Sequence, residues 1–141
     1  MKSYESSAVI QATPAAVWAI LADARAYPSW DSGVVKVEGQ IGLGERISVY
    51  SSISPNRAFP VTVSELVPEV GMTWRGGMPM GLFKGVRTFA LMPQSDGSTR
   101  FEMREEFSGP LLPVMWRMMP DLQPTFDQFT AGLKARAEAS G

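Results

Sequence analysis

The feature of this chain that most constrains its fold is a change in the spacing of its apolar residues after Ser108. From Gly33 to Ser108, short apolar segments alternate with glycine- and proline-containing turns, and no helix-length segment interrupts them. Beyond this region, apolar residues recur every three or four positions from Leu122 to Leu133, which places them on one face of a helix. Closely spaced strands without intervening helices predict an antiparallel meander, followed by one long helix that packs against it.

Six strands are expected in the middle of the chain. Each is bounded by turn residues, for example Gly42-Leu-Gly44 and Gln94-Ser-Asp-Gly97. The predicted strands are Gly33–Gly39, Glu45–Ser51, Phe59–Val67, Met72–Arg75, Leu82–Met92 and Ser98–Ser108.

The first thirty residues predict one more strand and two short helices. Ala8–Ala12 is mostly apolar and reads as the strand. Thr13 then precedes Pro14, which suits an N-cap followed by proline at the first helical position. A helix is expected from Pro14 to about Ala22, and a second short one over residues 23–28, where Pro28 disfavours the helical conformation of its predecessor.

The C-terminal region predicts two helices separated by a kink. A first apolar stripe runs from Leu112 to Met119, and Pro120 and Pro124 separate it from the second. The second helix is expected to reach about Ala139. The predicted fold class is therefore α+β, a helix-grip arrangement in which a curved antiparallel sheet of six to seven strands wraps round a long C-terminal helix.

Composition removes several kinds of chemistry. The 141 residues suit one domain over 1–141, and they include no cysteine and no histidine. Disulfides, thiolate ligands and a cysteine nucleophile are therefore excluded, as is the side chain that titrates near neutral pH. We expect no metal site and no cofactor. The net charge of −1 and the scattered basic residues are unlike a nucleic-acid-binding protein.

The chain also lacks the features of a membrane-inserted or exported protein. Its first residues, Met-Lys-Ser-Tyr-Glu-Ser-Ser, carry an acid where a signal peptide needs an apolar stretch. No segment has the eighteen or so consecutive apolar residues of a membrane span. We therefore expect a cytoplasmic protein without stable membrane insertion.

Several motifs resemble those of the SRPBCC, or START-like, superfamily, in its polyketide cyclase/dehydrase and lipid-transport branch. The similarity extends from about Val9 to Ala137. It implies the helix-grip fold with an apolar cavity between helix and sheet, and a small hydrophobic ligand such as a lipid or a polyketide-like aromatic. The matching motifs are Ile10-x-Ala12-x-Pro14-x-x-Val17-Trp18-x-x-Leu21-x-Asp23, Tyr27-Pro28-Ser29-Trp30-Asp31, Gly44-Glu45-Arg46, Trp74-Arg75-Gly76, Gly81-Leu82-Phe83, Thr99-Arg100-Phe101 and Glu105-Glu106-Phe107-Ser108-Gly109.

One charged pair is expected inside the sheet. Successive residues of a strand point to opposite faces, so Glu105 shares the inward face with Phe101 and Phe107, whereas the alternate residues are all charged. If Leu91 lies opposite Phe101, then Arg87 lies opposite Glu105, close enough for an ion pair. The pair either neutralises charge in the wall of a cavity or orients the polar end of a ligand, with catalytic use a third alternative.

The remaining candidate residues are aromatic side chains and flexible methionines, which suit an apolar pocket. The nine Met and seven Phe of the chain also fit an ordinary core. Trp30 either lines the pocket or seals the short helices against the sheet. The full set of candidate ligand-binding residues is Trp30, Tyr50, Phe59, Trp74, Met78, Met80, Phe83, Arg87, Phe89, Phe101, Met103, Glu105, Met115, Met119, Leu122, Phe126 and Phe129.

Three functions remain open from the sequence. Binding, and with it transport or sequestration, of a small hydrophobic molecule is the leading hypothesis. The second is a cyclase or dehydratase in which Glu105, Arg87 or Tyr50 moves protons, although the lack of histidine disfavours general acid–base chemistry. The third is a protein-interaction module, which would need a large exposed apolar patch. Oligomeric state does not follow from the sequence.

Overall fold

A computed structural model describes residues 2–140 and contains one curved sheet of seven antiparallel strands. The strands lie in the order β1-β7-β6-β5-β4-β3-β2, so every neighbouring pair except β1 and β7 is consecutive in the chain. This is the expected meander, and it confirms the helix-grip fold class. The strands are β1 Lys2–Ile10, β2 Val34–Glu38, β3 Arg46–Ser51, β4 Ser54–Val67, β5 Gly71–Gly77, β6 Lys84–Pro93 and β7 Thr99–Ser108.

Three α-helices accompany the sheet, and each begins near proline. They are α1 Pro14–Leu21, α2 Leu112–Met118 and α3 Gln123–Ser140. Thr13 caps α1, because its Oγ1 accepts a hydrogen bond from the Ala16 amide at 3.2 Å. The second short helix that the sequence predicts is a 3₁₀ stretch, Ala24–Ser29.

Two strands begin earlier than the apolar pattern indicates. β1 begins at Lys2 rather than Ala8, and β4 at Ser54 rather than Phe59. The added residues are mostly polar, so burial does not mark them as strand. In β1 they are held by pairing with β7, where Tyr4 lies opposite Glu105. Backbone hydrogen bonds to a neighbouring strand, which sequence periodicity does not reveal, therefore extend these elements.

The core lies between the concave face of the sheet and α3. Phe126, Phe129 and Leu133 of the predicted helical stripe are all buried. α3 approaches the chain before β2 so closely that a β-carbon on Gly132 would overlap the Asp31 carbonyl oxygen. A residue without a side chain is thus needed where this helix meets the Asp31 backbone.

Candidate functional site

A row of side chains crosses the concave face of the sheet at the centre of the site. Cross-strand pairing aligns Val63 with Trp74, Trp74 with Arg87, Arg87 with Glu105, and Glu105 with Tyr4. The row thus runs over five strands, from β4 to β1. Its central pair is charged, and the neighbours on both sides are apolar or aromatic.

The Arg87–Glu105 pair has the geometry that the sequence predicts. Leu91 does lie opposite Phe101, which confirms the register. Arg87 Nε donates a hydrogen bond to Glu105 Oε1 at 2.7 Å, and the side chains are 27% and 15% exposed. The guanidinium carbon lies 4.7 Å from the centre of the Phe126 ring on α3, a cation–π distance. The pair is therefore inward-facing, yet water still reaches it.

The guanidinium group keeps hydrogen-bonding capacity. Only Nε of Arg87 donates a hydrogen bond within residues 2–140, although the group carries five N–H donors. Both Nη atoms can therefore bind a further acceptor, which would sit beside Glu105 on the concave face.

Two glycines form a bare floor next to the charged pair. Gly76 lies opposite Gly85, and Gly85 lies opposite Phe107. A β-carbon on Gly85 would lie 2.5 Å from Glu105 Oε2 and 3.3 Å from the Phe107 ring. Gly85 therefore makes room for the Glu105 carboxylate. Gly76 and Gly85 thus contribute no side chain to the concave face at this end of the row.

The charged pair lies between two apolar clusters, one large and one small. The smaller, which we call the α2 cluster, contains Phe83, Phe107 and Leu112 and is covered by α2 and the linker that follows it. Its rings are in close contact, with Phe83 and Phe107 stacked at 5.8 Å between centroids. The partly buried members of the α2 cluster are Tyr4, Leu111, Met115, Trp116, Met119 and Leu122.

The larger cluster, which we call the main cluster, is dominated by aromatic rings. Tyr27 is at its centre: its ring contacts Trp30, Trp74 and Phe129 at centroid distances of 5.4, 6.5 and 5.4 Å. The Tyr27 hydroxyl donates to the Leu21 carbonyl oxygen at 2.5 Å. Burial raises the pKa of Tyr27 far above its usual value, and the nearby positive charge of Arg87 partly opposes this shift.

Within residues 2–140, three buried side-chain polar atoms have no hydrogen-bond partner. They are the indole nitrogens of Trp30 and Trp74 and the hydroxyl of Thr130. An unpaired buried donor costs about 1–3 kcal/mol, so such groups are uncommon in a folded protein. Trp74 is of particular interest because it neighbours Arg87 in the cross-sheet row.

The expected open cavity between α3 and the sheet is not confirmed. Two surface depressions lie elsewhere. One of about 450 Å³ is lined mainly by charged and other polar residues of β1, β6 and β7, with Asp127 of α3. The other, of about 290 Å³, lies over Pro113, Val114, Arg117 and Met118 on the exposed side of α2. Aromatic side chains of the main cluster occupy the space that the resemblance assigns to a ligand.

The predicted ligand-binding residues divide by location. Trp30, Trp74, Phe89, Phe101, Met103, Phe126 and Phe129 belong to or border the main cluster, Phe83, Met115 and Met119 belong to the α2 cluster, and Leu122 touches both. Three others lie at the surface: Phe59, Met78 and Met80.

Tyr50 lies on the opposite face of the sheet from the charged pair. Its neighbour Val49 pairs with the buried Val37, so Tyr50 points outward, where its hydroxyl donates to Glu38 Oε1 at 2.7 Å. That hydrogen bond raises the pKa of Tyr50. At this position the side chain does not reach the concave site.

Sequence reasoning did not select the residues that shape the space around the pair. Gly76, Gly85 and Trp116 carry no chemical signature, and Tyr4 stood outside the predicted strands. Glycine inside a strand is the one available signal, since it marks a close approach of another group. In the described part of the chain, no three carboxylates come close enough together to hold a metal ion.

A curled antiparallel sheet that grips a C-terminal helix is the START-like fold. The chain belongs to the polyketide cyclase/dehydrase and lipid-transport family, whose model matches residues 1–138. Among proteins of curated function, none matches it in sequence. No helix within residues 2–140 is both long enough and apolar enough to cross a bilayer.

Solved structures share the fold at low sequence identity. The Zhui aromatase/cyclase from Streptomyces sp. R1128 has a TM-score of 0.74 at 16% identity, covering 97% of this chain and 93% of that one. A START superfamily protein from Mycobacterium smegmatis has a TM-score of 0.73 at 14% identity, covering 99% of each chain. A hypothetical protein from Helicobacter pylori reaches 0.76 at 13% identity over 96% of this chain and 88% of that one.

Proposed function

We propose that this protein binds a small, mainly apolar molecule with one oxygen-bearing polar end, in the α2 half of the concave face. Arg87 and Glu105 hold the polar end, and the α2 cluster receives the apolar part. The observation that carries the proposal is the inward ion pair, because Arg87 offers unused donors to the interior while Glu105 neutralises its charge.

The donors available at this position favour a carboxylate, carbonyl or hydroxyl oxygen. An Arg Nη atom makes a charge-assisted hydrogen bond to such a group, which is stronger than a neutral one. Trp74, one strand away, has an unpaired indole N–H. An oxygen that accepts from both side chains would remove the cost of the unpaired indole as well as binding to the cation.

Space for the apolar part would come from movement of α2. The helix has seven residues, and isolated helices of this length are not stable by themselves. It covers the α2 cluster through Leu112 and through two methionines, Met115 and Met119, which are flexible enough to repack around a guest. Opening α2 exposes Phe83 and Phe107 next to the Gly76–Gly85 floor. Transport or sequestration of the ligand would use the same opening.

Ligand binding can be tested with protein purified from cells. Native mass spectrometry before and after delipidation should reveal a co-purified apolar molecule. Titration of the stripped protein with anilinonaphthalene sulfonate, an apolar probe with an anionic end, should then give saturable fluorescence. Arg87→Gln should weaken probe binding by about tenfold or more, because it removes a charge-assisted hydrogen bond.

A matched variant distinguishes loss of the Arg87 site from a general effect of removing one positive charge. Arg104→Gln removes an arginine from the outer side of the same sheet, where it pairs with Glu5 and Glu106, and should leave probe binding unchanged. Because Arg87→Gln leaves Glu105 unpaired, the double variant R87Q/E105Q serves as a second test with no uncompensated charge. Equal binding by wild type and both Arg87 variants, or no bound molecule and no probe binding at all, would refute the proposal.

A further inference from the structure

Two chain segments meet at one end of the sheet and form an exposed apolar surface. One is the loop between β5 and β6, and the other is α2 together with the turn that leads into it from β7. The Leu111 amide donates to the Leu82 carbonyl oxygen at 2.9 Å, which joins the two segments. We call the exposed side chains the α2-end patch: Met78, Met80, Leu82, Pro113, Val114 and Met118.

The side chains of the α2-end patch are too exposed to contribute to the core. Met80 is 96% exposed, Met118 75% and Val114 57%. Met80 also has a φ of 62°, a left-handed conformation that is costly for a residue other than glycine. The backbone conformation thus directs the apolar Met80 side chain outward, away from the core. Exposed apolar patches of this kind mark interaction surfaces.

Cations outnumber acids around the α2-end patch. Within residues 76–84 and 107–119, the charged residues are Lys84 and Arg117, although the whole chain has a net charge of −1. Lys2 adds a third cation at the same end, with its Nζ 5.7 Å from the centre of the Trp116 ring. Two acids border these ranges: Glu106, which forms an ion pair with Arg104 at 3.0 Å, and Asp121, which accepts a hydrogen bond from the Gln123 amide at 3.0 Å.

We propose that the α2-end patch docks reversibly on the surface of an anionic lipid bilayer. Apolar side chains that project from a loop and a short helix can enter the boundary between headgroups and acyl chains, while flanking Lys and Arg side chains attract anionic headgroups. A second copy of this chain fits less well, because a two-fold interface would bring together two copies of the same mainly cationic surface.

Docking at this position has a consequence for the proposed ligand site. α2 carries Val114 and Met118 on its exposed side and Leu112 in the α2 cluster on its inner side. A bilayer that binds the outer side competes with the contacts that hold the helix closed. This consequence rests on the proposed function, whereas docking itself does not, since vesicle binding can be measured without any ligand.

Vesicle flotation with the full chain tests the proposal. Wild-type protein should float with phosphatidylcholine vesicles that contain phosphatidylserine, and much less with phosphatidylcholine alone. Lys84→Gln with Arg117→Gln should weaken binding roughly thirtyfold, since each cation near an anionic surface contributes about a fivefold factor. Raising the salt concentration should weaken wild-type binding in the same direction.

A second pair of variants tests the apolar contribution. Met80→Ser with Met118→Ser should abolish flotation without lowering thermal stability, because both side chains are exposed. Leu43→Ser with Val70→Ser is the matched control, since it removes two exposed apolar residues from turns at the opposite end of the sheet. Arg25→Gln with Arg46→Gln is the corresponding control for charge.

Four outcomes would overturn the proposal. They are no flotation of wild type, equal flotation with neutral vesicles, equal losses in the control variants, or a concentration-dependent dimer in light scattering that M80S/M118S abolishes. The last would assign the α2-end patch to self-association instead. None of these outcomes bears on probe binding at Arg87, so the two proposals can fail separately.

Discussion

The main cluster and the α2 cluster lie on the same concave face, yet they differ in how firmly they are held. The main cluster packs Tyr27 and Phe101 under an 18-residue helix, which itself contributes Phe129. The α2 cluster has three buried residues beneath a seven-residue helix whose other side is exposed. The main cluster should therefore contribute most of the stability, and the α2 cluster should rearrange more easily. Arg87 and Glu105 lie between them.

The largest expected effect comes from truncating rings in each cluster. Phe101→Ala in the main cluster should lower the free energy of unfolding by about 3–5 kcal/mol, because its closely packed surroundings cannot collapse into the cavity. Phe83→Ala in the α2 cluster should cost about half as much, since the short cover can relax. Urea denaturation followed by circular dichroism measures both. Equal losses would show that the two regions are equally rigid.

A smaller effect is expected at Gly132 in α3. Replacing glycine by alanine inside a helix normally stabilises it by about 1 kcal/mol. Here the added β-carbon would overlap the Asp31 carbonyl oxygen, so Gly132→Ala should instead destabilise by about 1–3 kcal/mol. Gly42→Ala, whose nearest contact is the flexible end of Glu45 at 3.1 Å, is the control. A gain in melting temperature for Gly132→Ala would contradict the close approach of α3.

The pH dependence of stability should reflect the burial of Tyr27 in the main cluster. Because burial raises the pKa of Tyr27, the folded state keeps a proton that the unfolded state releases above its pKa of about 10. Stability is full below that pH and should fall by about 1.4 kcal/mol for each further pH unit. Tyr27→Phe should cost about 1 kcal/mol at neutral pH through the lost hydrogen bond but remove this alkaline slope.

Tyr50→Phe is the matched control for the alkaline slope. Tyr50 is hydrogen-bonded to Glu38 on the outer face, and its hydroxyl does not belong to the packed interior. The variant should therefore keep most of the wild-type decline above pH 10. Alkaline urea titrations of the three proteins decide the matter, and an unchanged slope in Tyr27→Phe would mean that other groups control alkaline unfolding.

The smallest effect on stability, with a clear effect on binding, is expected at Gly85. A β-carbon there would displace the Glu105 carboxylate, but this group is the end of a flexible side chain, so the cost should be about 1 kcal/mol. Probe binding should nevertheless fall, because the carboxylate would move away from Arg87 and into the proposed ligand space. Unchanged affinity for anilinonaphthalene sulfonate would place the ligand elsewhere.

Much of the site was predictable because strands alternate strictly. Once Phe101 and Phe107 are assigned to the inner face, Glu105 has to share it, and a short turn sets its position opposite Arg87. The same reasoning excludes Tyr50 from the inner face. Alternation from the buried Ile47 through Val49 places Tyr50 on the outer face of β3, so the aromatic character of Tyr50 was a poorer guide than its parity.

Features that depend on contacts between distant segments were not predictable. The strand character of residues 2–7 comes from pairing with β7, and nothing local to those residues indicates it. The filling of the interior depends on how Tyr27, Trp30 and Phe129 meet, although they come from a 3₁₀ stretch, the residue after it and a helix far along the chain. The resemblance implied an open cavity there, which is not confirmed.

By itself, the sequence determined the order of elements, the class of fold and the charged pair, because local periodicity and strand alternation act between near neighbours in the chain. Only the tertiary structure decided how tightly the concave face is packed, that Gly85 accommodates Glu105, and that two distant segments meet in the α2-end patch. Those features depend on side-chain volume and on the relative position of remote segments, and both are set only when the whole sheet closes round α3.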